Sequence, residues 1–233
     1  MARGQIVVLV GIDGSGKSTQ AALLADALRA AGLRARAFEN PGGRPILDAV
    51  ARRLGRADGA ALVGQRGRVA IELAVRSAAI ARSACWAPLT GGTAVMDRYT
   101  FCQQATMRAR GDRGQRCAAR WARCAPRPDL VFWLRVEPAV AQQRVAARGR
   151  DRESHAWLEA FDGAYASLLP SSAQIVDASG AVHEVHRALL ALVTPLSRSA
   201  DITGGTAHSP ARITGCDQDR TAGQTIAPRR RAD

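Results

Sequence analysis

Ile6-Val7-Val8-Leu9-Val10-Gly11-Ile12-Asp13-Gly14-Ser15-Gly16-Lys17-Ser18 is the stretch that decides the fold of this chain. Its five leading apolar residues, Ile6–Val10, predict a strand buried on both faces, as parallel sheets require. A glycine-rich loop follows at Gly11–Gly16. After it, Ser18–Ala31 is rich in alanine and leucine and reads as a helix ending at Gly32. Gly11, Gly16, Lys17 and Ser18 satisfy the pattern G-x-x-x-x-G-K-[ST] in its required setting, strand before and helix after. Glycine permits backbone angles that turn successive N–H groups inward around phosphate oxygens, and the helix start adds its positive dipole end. Gly11, Gly14, Ser15, Gly16, Lys17, Ser18 and Thr19 are therefore the expected contacts to the phosphates of ATP. Lys17 would bridge the outer phosphates and Ser18 would ligate Mg²⁺.

Composition agrees with one α/β domain. The chain has 233 residues, 47% of them hydrophobic, enough for one sizeable core. Aromatics make up only 4%, so alanine, valine and leucine must fill the interior, which suits a helix-rich fold. The net charge of +13 comes from 32 arginines and a single lysine, Lys17. A compact ammonium can reach between phosphates where a planar guanidinium needs more room, which explains the one lysine's position. The arginines are dispersed, apart from Arg229-Arg230-Arg231, so no nucleic-acid partner is expected. Five cysteines without metal-ligand spacing predict a reduced, cytoplasmic protein. Cys117 and Cys124, seven apart, are expected as buried thiols on one helix face. No signal-peptide layout and no membrane-length apolar run are seen.

Further along, strands are predicted at Arg34–Phe38, Thr93–Met96, Leu130–Val136 and Gln174–Val176. Helices are predicted at Ile46–Leu54, Gly64–Ala84, Phe101–Arg110, Gln115–Cys124 and from Pro138 to Arg148. Two more follow, one ending near Leu169 and one over Ala181–Leu192. This alternation predicts an open, mostly parallel five-stranded sheet with helices on both faces, occupying residues 1–195. From about 196 to 233 the composition turns polar and aperiodic, and a disordered tail is expected.

The segment from Val10 to Gln20 resembles the P-loop of thymidylate kinases, with its aspartate at Asp13 and its Thr19-Gln20 ending. Asn40-Pro41-Gly42-Gly43, Asp97-Arg98-Tyr99, and Arg127-Pro128-Asp129-Leu130 through Arg148-Gly149-Arg150-Asp151-Arg152 resemble further segments of that family, in order and over roughly residues 5–195. The resemblance implies a three-layer P-loop kinase fold that phosphorylates a nucleoside monophosphate, dTMP to dTDP, at the expense of Mg-ATP. It implies Lys17, Asp13, Asp97, Arg98, Arg148, Arg150 and Arg152 as catalytic residues, the last three in a lid over about 144–154. Arg76, Arg98, Tyr99 and Gln103 would bind the acceptor, Ser18 and Asp97 would manage Mg²⁺, and a homodimer is implied. Because Ser15 stands where some members carry an arginine, the lid must supply the catalytic cation. Four residues before Arg76, where the family stacks a phenylalanine on thymine, this chain has Glu72. Glu39-Asn40 replaces Arg-Glu, and the Ser-x-x-Ala-Tyr-Gln run after Tyr99 reads Cys102-Gln103-Gln104-Ala105-Thr106-Met107. Arg68, Glu72 and Arg76 at i, i+4 and i+8 also fit a surface ion-pair ladder. A P-loop kinase with another small-molecule acceptor, or an ATP-binding regulator or ATPase, is the alternative.

Overall fold

A computed structural model describes residues 4–149 and 153–202, with side chains described to Val193. Five strands form one parallel sheet in the order β2-β3-β1-β4-β5. They are β1 (Gln5–Val10), β2 (Ala35–Glu39), β3 (Thr93–Asp97), β4 (Leu130–Arg135) and β5 (Gln174–Asp177). The central strand is β1, and Val8, Leu9 and Val10 are fully buried, as a strand covered by helices on both faces demands. Register is held by pairs such as Leu9↔Asp97 on one side and Leu9↔Phe132 on the other.

Helices connect the strands. α1 (Lys17–Ala30) packs on β2 and β3 through Ala21, Leu24, Ala25 and Leu28, one stripe at helical spacing. α2 (Arg44–Arg53) lies against α3 (Gly59–Thr90). α4 (Thr100–Ala109) and α5 (Gln115–Ala122) follow β3, α6 (Pro138–Ala147) follows β4, and α7 (His155–Leu168) packs on α4. α8 (Val182–Ile202) closes the domain against α1.

Three differences from the sequence reading have local causes. α3 begins at Gly59, not Gly64, because Asp58 caps it by accepting from the Ala61 N–H at 2.8 Å. Gly64, at φ 73°, then kinks it, and it runs through Pro88 to a left-handed Gly91. α8 continues past Leu192 to Ile202, into the stretch expected to be tail; 203–233 lies outside the described residues. Cys117 and Cys124 are exposed, because α5 turns Ala118 inward instead.

Candidate active site

The carboxyl ends of β1, β2 and β3 converge, which is where ligands bind in open α/β sheets. The loop after β1 owes its shape to glycines. A Cβ on Gly11 would sit 2.5 Å from the Leu134 carbonyl oxygen, and one on Gly14 (φ 89°) would sit 2.5 Å from that of Ala141. Left-handed Gly16 precedes α1 and no side chain caps that helix start, so its first N–H groups are open to an anion.

A cavity of about 250 Å³ lies over this helix start. Asp13, Gly14, Gly16, Lys17, Ser18 and Thr19 line it, joined by Arg98 from the end of β3 and Arg148 from the end of α6. Gly11 and Ser15 stand behind it: Gly11 packs on β4, and the Ser15 hydroxyl accepts from Lys17 Nζ at 3.3 Å. Lys17 is folded back, donating to the Ile12 carbonyl at 2.6 Å, with Asp13 at 3.9 Å. Burial, then the nearby Arg98 charge, lowers the Lys17 pKa, with Asp13 and Asp97 opposing. Arg150 and Arg152 lie outside the described residues. Arg144, one turn before Arg148, leaves the lid cluster: it donates to the carbonyls of Ala178 (2.7 Å), Ser179 (2.8 Å) and Gly180 (3.3 Å).

At the end of β3, Ser18 Oγ donates to Asp97 Oδ2, while Asp97 Oδ1 is buried without a hydrogen-bond partner. Arg98 adopts a left-handed conformation at φ 73°, which costs a non-glycine residue of order 1 kcal/mol. Its backbone is held by donating to the Leu9 carbonyl and accepting from Asn40 Nδ2, and its guanidinium donates to Asp13. Burial raises the Asp13 pKa, but the Arg98 and Lys17 charges outweigh it and bring the carboxyl down to about 2. Burial likewise disfavours the Arg98 cation, yet Asp13 and Asp97 overcome it and raise its pKa.

A second cavity of about 250 Å³ adjoins the first and shares Asp13 and Arg98 with it. Arg76 and Gln103, the expected acceptor contacts, both line it. Arg76 donates to the Asn40 carbonyl at 2.8 Å and to Gln103 Oε1 at 3.2 Å, so its guanidinium is fixed from two sides. The ladder reading of α3 fails: Arg68, Glu72 and Arg76 are all buried. Arg68 donates to Glu72 at 2.8 Å, and Glu72 Oε2 accepts from Gln103 Nε2 at 3.2 Å. Tyr99 is also placed otherwise. It lines neither cavity; the residue is 2% exposed and its hydroxyl donates to the Pro126 carbonyl.

Sequence reasoning placed Asn40 in a motif without giving it a role, and missed Arg110 and the aromatic residues of α7. Asn40 ties β2 to β3 and α3 at once, since its Oδ1 also accepts from Ser83 at 3.3 Å. Trp157 and Phe161 line the second cavity with rings 5.4 Å apart, and Tyr165 continues the stack. Their spacing of four was a readable signal in so aromatic-poor a chain.

The family model for thymidylate kinase matches residues 9–189 of this chain. The chain belongs to the thymidylate kinase family. A thymidylate kinase from Bordetella petrii is 34% identical over 84% of this chain and 98% of its own length. One from Alteromonas mediterranea is 28% identical over 82% and 90%, and a probable thymidylate kinase from Archaeoglobus fulgidus is 30% identical over 77% and 90%. Members of this family are phosphotransferases, and two adjoining cavities, one on a P-loop, are what such a transfer needs. No helix among the described residues is long and apolar enough to cross a membrane.

Proposed function

We propose that the protein transfers the γ-phosphoryl group of ATP to the phosphate of dTMP, giving dTDP. The observation that carries this reading is that the P-loop cavity and the second cavity meet at Asp13 and Arg98. ATP phosphates on the loop and an acceptor phosphate held by Arg98 and Arg76 would face each other across that junction. A protein that only bound ATP would have no use for the second, arginine-lined cavity. No protein nucleophile is required, because positioning and charge stabilisation carry phosphoryl transfer.

Ser18 and Asp97 suit Mg²⁺: both offer hard oxygen donors, and the unpartnered Asp97 Oδ1 lacks the hydrogen bond a buried carboxylate oxygen otherwise finds. Bound there, the ion would neutralise charge on the outer ATP phosphates. Lys17 and Arg148 add cations on the same side, with Arg150 and Arg152 assigned to the closing lid. Asp13 keeps Arg98 aimed at the acceptor. The exposed apolar residues Ile46, Val50 and Leu54, at i, i+4 and i+8 of α2 and its cap, fit a contact with a second copy of the chain. Free thiols at Cys85, Cys102, Cys117 and Cys124 suit a cytoplasmic site of action.

The test is an ADP-release assay with Mg-ATP and a panel of nucleoside monophosphates. Turnover on dTMP that falls at least about a thousandfold in Lys17→Ala is the expected result. ATP binding without turnover on any monophosphate would overturn the reading.

A further inference from the structure

Arginines that look dispersed along the sequence gather on one side of α5. From Arg108 to Arg127 the chain holds seven arginines and one acid, Asp112. Asp112 is 7% exposed and engaged by Arg68 and Gln65, so its charge is turned inward. Arg110 leans toward Glu72, 3.8 Å away. The other six, Arg108, Arg113, Arg116, Arg120, Arg123 and Arg127, are exposed, and none forms an ion pair with a described residue. On α5 and its C-cap, Arg116, Arg120 and Arg123 stand at i, i+4 and i+7, on one face, opposite the buried Ala118. Like charges at that spacing repel one another. Arg113 and Arg116 also flank the positive end of the helix dipole, and no acidic residue stands in the first turn to offset them. An arrangement that its own charge disfavours is relieved when an extended anion joins it.

We propose that this face of α5 binds nucleic acid through the phosphate backbone, without reading sequence. Seven residues of helix span about 10 Å, and one strand of DNA carries a phosphate about every 3.4 Å along its axis. The three guanidiniums on α5 therefore meet about three phosphates of one strand, with Arg113 and Arg127 just before and after the helix in the chain. Arginine suits the partner, because its planar guanidinium donates two parallel N–H bonds to a phosphate. What the face lacks narrows the choice further. None of the large apolar residues exposed on the described surface falls between 108 and 127. The face thus has no anchor for a bilayer and no hydrophobic centre for a protein interface. No residue of α5 lines either cavity of the candidate active site, so this surface is separate from both.

The test is fluorescence anisotropy of a labelled, mixed-sequence duplex DNA of about 20 bp, titrated with the full-length protein at about 50 to 200 mM salt. Micromolar binding at low salt is expected, weakening with a log–log slope of about −3 or steeper. Arg116→Gln, Arg120→Gln and Arg123→Gln together should weaken binding at about 100 mM salt at least about tenfold and make the slope shallower by about 3. The control combines Arg53→Gln, Arg56→Gln and Arg187→Gln, which remove the same charge from exposed positions on α2, just after it and on α8. Its affinity should change less than about threefold. Equal losses in the two triple variants would mean attraction by net charge alone and would overturn the proposal, as would no binding by the parent at low salt. Tighter binding to phosphatidylserine vesicles than to DNA would make a membrane the partner and would overturn it too. If the α5 triple variant unfolds, Arg120→Gln alone should make the slope shallower by about 1, and an unchanged slope there counts against the proposal.

Discussion

Replacing Asp13 by asparagine tests the ion pair that joins the two cavities. The Asp13 carboxyl is held at about 2 against an ordinary 3.8, with Arg98 the larger of the two cations responsible. A depression of that size corresponds to about 2–3 kcal/mol favouring the charged form in the folded state. Because the folded value is the lower one, this stabilisation is fully present well above pH 3.8. It is lost as pH falls through the folded value of about 2. The linkage relation leaves roughly half of it at pH 3. Asp13→Asn cannot make the ion pair at any pH. Its deficit against the parent should therefore be about 2–3 kcal/mol at pH 7 and should shrink by roughly half by pH 3. Urea denaturation followed by tryptophan fluorescence at several pH values reads both numbers. Arg98 also holds a strained left-handed backbone, so losing its partner removes one restraint on that conformation as well. A deficit that stays constant from pH 7 to pH 3 would refute the reasoning, since it would trace to packing and not to charge. No deficit at pH 7 would refute it equally.

Two further changes probe what the structure reassigns. Tyr99→Phe removes the hydroxyl donated to Pro126 and should cost about 1–2 kcal/mol of stability; burial that raises the Tyr99 pKa to about 12 agrees with a core role, and a changed KM for dTMP would contradict it. Ile46→Glu places a charge on the apolar stripe of α2 and should convert a dimer to a monomer in sedimentation at micromolar concentration; an unchanged sedimentation coefficient would place any self-association elsewhere.

What could be read from the sequence was the part in which a short segment carries its own geometry. The run Ile6–Ser18 encodes a buried strand, a loop only glycine can follow, and an uncapped helix start, all within thirteen residues. Asp97 and Arg98 were legible for the same reason: a strand ends there, on the same edge as the loop. The far cavity was opaque because four helices build it and their packing is non-local. Arginine–glutamate spacing on α3 is identical for a solvated ladder and for a buried polar wall; only the packing around Arg68 and Glu72 decides which. Tyr99 misled because it follows two site residues in sequence, whereas the left-handed Arg98 turns the chain and sends the ring into the core. The same physics explains why Glu72 is tolerated where a ring would be expected. A lone buried carboxylate would be costly, but Arg68, Gln103 and a nearby Arg110 surround this one, and two of them come from a helix and a turn far away in sequence. The chemistry of position 72 is therefore set by its neighbours, and a single residue viewed alone could not show that.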